Sequence, residues 1–240
     1  MTPTALLLHG FTHTGASWDP VVAALGERYR VLAPDIRGHG AATDVVPVTL
    51  EGVLADVEVL APHEGFVLAG YSMGGRIALH AALAMTGRVR RLVLIGASPG
   101  IADATEREQR RLADERLADE LERATIEQFA RRWAQLPVLA DMPPEVAERV
   151  HADRLRNTPS GLARALRSLG TGALPPLWDR LGELAMPVTL VVGERDEKFR
   201  AIAREMAAPI ASGEVVAVAG AGHAAHLEAP EEIARILVGD

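Results

Sequence analysis

Residues 66–80 read FVLAGYSMGGRIALH, and this stretch decides the fold. An apolar run of strand type (66–69) passes through a short glycine-bearing turn into a segment, from Gly74 on, with the character of a helix opening. Gly70-Tyr71-Ser72-Met73-Gly74 is thus a G-x-S-x-G set between a strand and a helix. A sharp strand-to-helix turn lifts its serine above the edge of a sheet, and it needs glycine where backbones approach closely. Ser72 is therefore a candidate nucleophile or base. Met73, whose N–H lies at the start of the helix, is a candidate donor to developing negative charge. Outside that context the same five residues would be an ordinary glycine-rich turn.

The same alternation extends outward in both directions. Strand-like runs fall at 5–8, 30–33, 66–69, 91–95, 188–192 and 215–218, and helical patterns at 18–25, 50–60, 74–84, 199–206 and 231–237. That rhythm predicts an α/β chain with a mostly parallel sheet flanked by helices on both faces. It is interrupted once. From about residue 101 to 178 the chain is rich in Arg, Glu, Asp and Ala, with apolar residues at helical spacing, such as Leu117 and Leu121, then Ile126, Phe129 and Trp133. The expected organisation is a core of residues 1–100 and 179–240, with residues 101–178 inserted in the second half as a helical cap over the carboxyl edge of the sheet, where ligands of such sheets bind. A solvated helical hairpin without a functional role is the alternative.

Composition narrows the chemistry. Of 240 residues, 48% are hydrophobic and 24% charged, so the chain is globular rather than disordered. There is no cysteine, which removes thiol nucleophiles and thiolate metal sites. The net charge of -7 argues against a nucleic-acid surface. No apolar run approaches a bilayer span, and the first residues show no basic, cleavable leader, so no membrane partner and a cytoplasmic location are expected. Every basic residue except Lys198 is arginine.

A serine needs a histidine to take its proton and an acid to orient that histidine, and in this architecture the chain order is serine, acid, histidine. Asp196 follows the strand at 188–192, with Glu194 and Glu197 as rivals; His223 follows the strand at 215–218 in the glycine-rich Gly220-Ala221-Gly222 loop. The first strand ends in His9-Gly10-Phe11, which offers the Phe11 N–H as the second oxyanion donor. His9 is expected to pack against that turn. His39 and His226 are expected to make structural hydrogen bonds.

Together, His9-Gly10-Phe11, Gly70 to Gly75, Gly193-Glu194-Arg195-Asp196 and Gly222-His223 resemble the α/β-hydrolase fold across the whole chain. The segments GYSMGGRIALH, SPGIADATEREQRRLADERLADE, FARRWAQLPV, RLRNTPSGLA, GERDEKFRAIAREM and AGHAAHLEAPEE are similar to the 2-succinyl-6-hydroxy-2,4-cyclohexadiene-1-carboxylate synthases of menaquinone biosynthesis. The resemblance implies a lyase that expels pyruvate from a cyclohexene bearing succinyl and enolpyruvyl groups, using the triad as base and needing no metal or cofactor. Such a substrate is small and carries three carboxylates, so local arginines must overcome the global repulsion. The resemblance points to Arg76, Arg110 and Arg156 as carboxylate ligands, with Arg111 and Arg154 as substitutes, and to Trp133 and Tyr71 as pocket aromatics. A carboxylesterase, lactonase or C–C hydrolase acting through an acyl-enzyme is the alternative activity, and a silent binding protein a third reading. A monomer or small homo-oligomer is expected.

Overall fold

The computed structural model describes residues 2–136 and 142–239. Among these residues six strands form one sheet: β1 (Thr4–Leu8), β2 (Arg30–Leu32), β3 (Phe66–Tyr71), β4 (Val89–Ile95), β5 (Val188–Gly193) and β6 (Gly213–Val218). Their order is β2-β1-β3-β4-β5-β6, and every pairing among the described residues is parallel. Each expected strand is present, within two residues of its expected ends. The chain steps from β1 out to β2 and then returns to the other side of β1 as β3, so the direction of winding reverses between β1 and β3. Open α/β sheets bind ligands at such a switch point, beyond the carboxyl ends of the strands.

Alternation along the strands sends side chains to two buried faces. Leu6, Leu8, Leu68, Leu92, Leu94 and Leu190 pack on one side against α2 (Leu50–Leu60), α3 (Met73–Ala84) and α8 (Glu197–Ala207). Ala5, Leu7, Val67, Val93 and Val191 pack on the other against α1 (Asp19–Leu25) and α10 (Pro230–Val238). Coverage on both faces is why the strands read as unbroken apolar runs.

Between β4 and β5 the described residues form four α-helices, α4 (Ala104–Arg123), α5 (Ile126–Trp133), α6 (Pro144–Arg154) and α7 (Pro159–Leu169), and a 3-10 helix at Trp178–Glu183. They begin where the sequence asks. Asp103 accepts the Glu106 N–H at the start of α4, and Thr125 with Gln128 forms a reciprocal capping box on α5. Ala118, Leu121, Phe129, Leu162 and Leu166 make a small apolar cluster of their own. Arg167 of α7 binds Glu115, Asp119 and Glu122 of α4, while Ala165 and Leu169 on α7 join the main core. The insertion is therefore seated on the sheet's helices rather than projecting into solvent. Pro137 and Val138, which end the FARRWAQLPV run, lie outside the described residues. One short helix, α9 (Ala225–Glu228), had no sequence expectation.

Candidate active site

Ser72 stands alone between β3 and α3 with φ 51° and ψ -109°. Its strain is held on both sides, since its N–H donates to Ile95 O at 2.9 Å and its carbonyl accepts the Arg76 N–H at 3.1 Å. The glycines are required by contact. A Cβ on Gly74 would sit 2.3 Å from Leu8 O, and one on Gly70 would sit 2.3 Å from Gly74 O. The register explains the first clash: Leu8 is paired with Gly70, so the end of β1 abuts the turn that carries the serine. That pairing also sets the 9–11 loop beside Ser72. Neither the Phe11 N–H nor the Met73 N–H has a protein acceptor among the described residues.

At the other end of the sheet, Gly193 pairs with Val218, so the loops after β5 and β6 run side by side. They touch at the backbone, where a Cβ on Gly193 would be 2.0 Å from Gly222 O. The His223 Nδ1–H donates to Asp196 Oδ2 at 2.6 Å, with both side chains buried. The other Asp196 oxygen accepts the Phe199 N–H at the opening of α8. Glu194 is occupied differently, accepting the Gly220 N–H at 2.8 Å and so bracing the histidine loop. Glu197 is exposed. Phe199 and Tyr71 flank the His223 ring at centroid distances of 4.6 and 5.4 Å.

Ser72, Met73, His223 and Phe11 line one cavity of about 890 Å³, whose lining also includes Arg110, Trp133 and Leu166 from the helices between β4 and β5. Tyr71 and Arg76 line it too. Arg76 is 7% exposed. It forms no ion pair among the described residues, and its Nε is buried without a partner. Burial pushes its pKa down to about 10, and the neighbouring Arg110 adds to the depression, while Asp114, which is paired with Arg110, offsets only part of it. A buried guanidinium without a counter-charge is costly unless a ligand supplies one. Arg110 donates to Asp114 at 2.7 Å from the next turn of α4 and stays half-exposed. Among the described residues no group of three or more His, Asp or Glu is arranged to hold a metal ion.

The alpha/beta hydrolase family profile matches residues 5–236. A relative from Bacillus subtilis (strain 168) is 35% identical over 240 residues, covering 96% of this chain and 87% of its own. The 2-succinyl-6-hydroxy-2,4-cyclohexadiene-1-carboxylate synthase of Salmonella heidelberg (strain SL476) is 34% identical over 98% of this chain and 94% of its own. The structure of MenH from S. aureus matches with a TM-score of 0.93 at 31% identity, covering 100% of this chain and 93% of that one. The chain belongs to the alpha/beta hydrolase family and, within it, to the synthases. A thermophilic esterase from Thermogutta terrifontis (malate bound) has the same architecture at a TM-score of 0.81 and 28% identity, over 99% of this chain and 90% of its own.

Against the expectations for this synthase-family chain, two placements differ. Arg156 does not reach the cavity: its side chain is 64% exposed, 3.9 Å from Asp153, because it lies just past the end of α6 on the outward side. Arg154, two residues earlier, is buried instead, with Nη2 unpartnered and its pKa pushed down to about 10 by burial. Arg111 turns to Glu108 on the helix exterior. The second difference is His226, which makes no hydrogen bond among the described residues and packs its ring on Tyr71 and Trp18. Burial keeps it neutral. His39 does bond, weakly, to Arg37 O at 3.4 Å. His9 accepts the Ile36 N–H at Nε2 and bonds Gly10 O through Nδ1, which fixes the turn before Phe11. Lys198 and His13 line the cavity without having been singled out beforehand. Lys198 had one signal, as the sole lysine two residues beyond Asp196. His13 had none.

Proposed function

We infer that this enzyme eliminates pyruvate from 2-succinyl-5-enolpyruvyl-6-hydroxy-3-cyclohexene-1-carboxylate to give 2-succinyl-6-hydroxy-2,4-cyclohexadiene-1-carboxylate. The observation that carries the reading beyond family membership is the buried, unpaired Arg76 on the wall that also holds Ser72 and His223. A tricarboxylate supplies the hydrogen-bonded carboxylate that Arg76 lacks, and Arg110 lines the same space.

The chemistry follows from the geometry. Asp196 holds His223 with Nδ1 protonated, leaving Nε2 free to take the Ser72 proton. The Ser72 alkoxide removes the ring proton beside the succinyl ketone, and the electron pair moves onto the ketone oxygen as an enolate. The N–H groups of Phe11 and Met73 stabilise that oxygen. Collapse of the enolate forms the new ring double bond and breaks the C–O bond to the enolpyruvyl group. The departing enolate of pyruvate takes up the proton held by His223, and pyruvate is its keto form. No acyl-enzyme forms, and water is excluded by residues 101–178 acting as the cap. Trp133 and Tyr71 provide the apolar walls around the ring. The reading includes a small anionic substrate, a cytoplasmic location and a monomer or small homo-oligomer. Among the described residues no helix is long and apolar enough to cross a membrane.

The alternative, hydrolysis of an ester or lactone through Ser72, is favoured by the likeness to the thermophilic esterase. Mixing purified protein with the cyclohexene acid and coupling pyruvate to lactate dehydrogenase separates the two. Pyruvate release well above the rate of p-nitrophenyl ester turnover supports elimination. A Ser72 acyl adduct in the mass spectrum, or ester turnover that outpaces pyruvate release, makes the hydrolase reading the better one.

A further inference from the structure

We propose that the end of α6 is a clamp on the oxyanion-hole loop, with Asp153 and Asn157 as positioning residues for the Phe11 N–H. The proposal rests on the reading of Phe11 as an oxyanion donor. Among the described residues only two non-glycine positions have positive φ: Ser72, the proposed base, and Thr12, at φ 71°. Thr12 directly follows Phe11. The His13 N–H donates to Gly10 O at 3.1 Å, so Thr12 is the third residue of a turn, where positive φ marks a geometry that glycine ordinarily fills. A β-branched residue there is strained and must be held by its surroundings.

The surroundings that hold it come from one place, some 140 residues away in the chain. Asp153 Oδ2 accepts the Thr14 N–H at 3.0 Å and His13 Nδ1–H at 3.2 Å, and Asp153 Oδ1 accepts the Thr14 hydroxyl. Asn157 Nδ2 donates to Thr12 O at 2.9 Å, and Arg154 Nε donates to the Thr12 hydroxyl at 3.3 Å. Asn157 is itself anchored, because its Oδ1 accepts the Gly40 N–H at 3.0 Å. All three consecutive loop residues, 12 to 14, are therefore gripped by one helix end. Burial opposes the Asp153 charge, but the bonds from His13 and Thr14 outweigh it and keep the carboxyl below its ordinary range. Without the clamp, Thr12 relaxes to negative φ, the Gly10–His13 turn opens, and the Gly10–Phe11 peptide, which carries the Phe11 N–H, shifts from its place at the cavity. The inserted helices thus do more than cover the site; one of them completes the hole.

The test compares Asp153→Ala and Asn157→Ala with the unaltered full-length chain, measuring kcat and KM for pyruvate release and for a p-nitrophenyl ester in parallel. Loss of one oxyanion donor costs about 100- to 1,000-fold in kcat, so partial misplacement is expected to lower kcat about 10- to 100-fold with KM changed less than about 3-fold. Adding Thr12→Gly to Asn157→Ala is expected to restore much of kcat, since glycine adopts positive φ without the strain that the clamp otherwise offsets. A helix that merely places the cap gives the opposite split, with KM raised and kcat kept, and that result overturns the proposal. So does a folded Asn157→Ala variant that keeps full kcat, or one that Thr12→Gly fails to rescue. Where Asp153→Ala does not fold, Asp153→Asn keeps the size and one acceptor and is expected to show a smaller kcat loss of the same kind; unchanged kcat there also counts against the clamp. The ester arm keeps the two readings separate. If the unaltered protein releases no pyruvate, yet its ester kcat falls in both variants, the lyase reading fails and the clamp stands.

Discussion

Replacing Arg76 with methionine separates what this residue does for the fold from what it does for the substrate. In the free enzyme the guanidinium is 7% exposed and forms no ion pair among the described residues, and its pKa falls to about 10 although Asp114 offsets part of the depression. At 1.36 kcal/mol per pH unit, that depression corresponds to about 3 kcal/mol against the charged form. The sign follows from linkage: the unfolded chain holds its proton more tightly, so the penalty is present at every pH below about 10 and is relieved only above it. Methionine keeps an unbranched apolar stem but no charge, and some of the gain is lost to imperfect repacking. A net stabilisation of about 1–2 kcal/mol is expected, which for a chain of this size raises Tm by roughly 2–8 °C. The substrate term runs the other way. A carboxylate paired with Arg76 in the closed cavity is worth about 2–5 kcal/mol, so kcat/KM for pyruvate release should fall about 30- to 5,000-fold. Differential scanning calorimetry and the coupled pyruvate assay read both quantities on one preparation. A variant with lower Tm and intact kcat/KM would refute the argument, because it would make Arg76 a structural cation with a partner rather than a waiting one.

Other expectations are simpler. Ser72→Ala and His223→Ala should each remove most activity, and the double variant should lose no more than either alone, because the two act as one unit; multiplicative losses in steady-state rates would contradict this. Gly74→Ala drives a Cβ to 2.3 Å from Leu8 O, so it should abolish activity and lower Tm, whereas Gly87→Ala, with open space around it, should leave both nearly unchanged. Arg156→Ala should alter kcat/KM less than about 3-fold while Arg110→Ala alters it more, since of these two Arg110 lines the cavity and Arg156 does not. His9 and His39 are held neutral by burial, with pKa values of about 4 and about 3. Their unfolded forms bind protons below about 6.5, so stability is full above that pH and falls by up to about 1.4 kcal/mol per pH unit for each residue as pH drops toward 4; a urea midpoint unchanged between pH 7 and pH 5 would exclude this.

The frame of this protein was legible from the chain alone because its signals are local. Apolar runs such as 5–8 and 188–192, too short for a helix and bounded by turn residues, are strands buried on both faces. The turn at Ser72 is announced by glycines that the strands β1 and β3 leave no room to replace. The order of Ser72, Asp196 and His223 follows from which strand each one ends. Which arginine serves the cavity was a different kind of question. Arg76, Arg110, Arg111, Arg154 and Arg156 all lie on or next to helices, and spacing says only that they occupy different angles around an axis. Packing decided that Arg76 is buried with Nε unpartnered, that Arg154 is folded inward onto Thr12, and that Arg156 points out beside Asp153. Desolvation and ion pairing depend on what stands opposite a side chain, and for these residues the opposite wall comes from another part of the sequence. The grip of Asp153 and Asn157 on residues 12–14 was hidden for the same reason: its partners meet only after the helices between β4 and β5 have folded back over the carboxyl edge of the sheet.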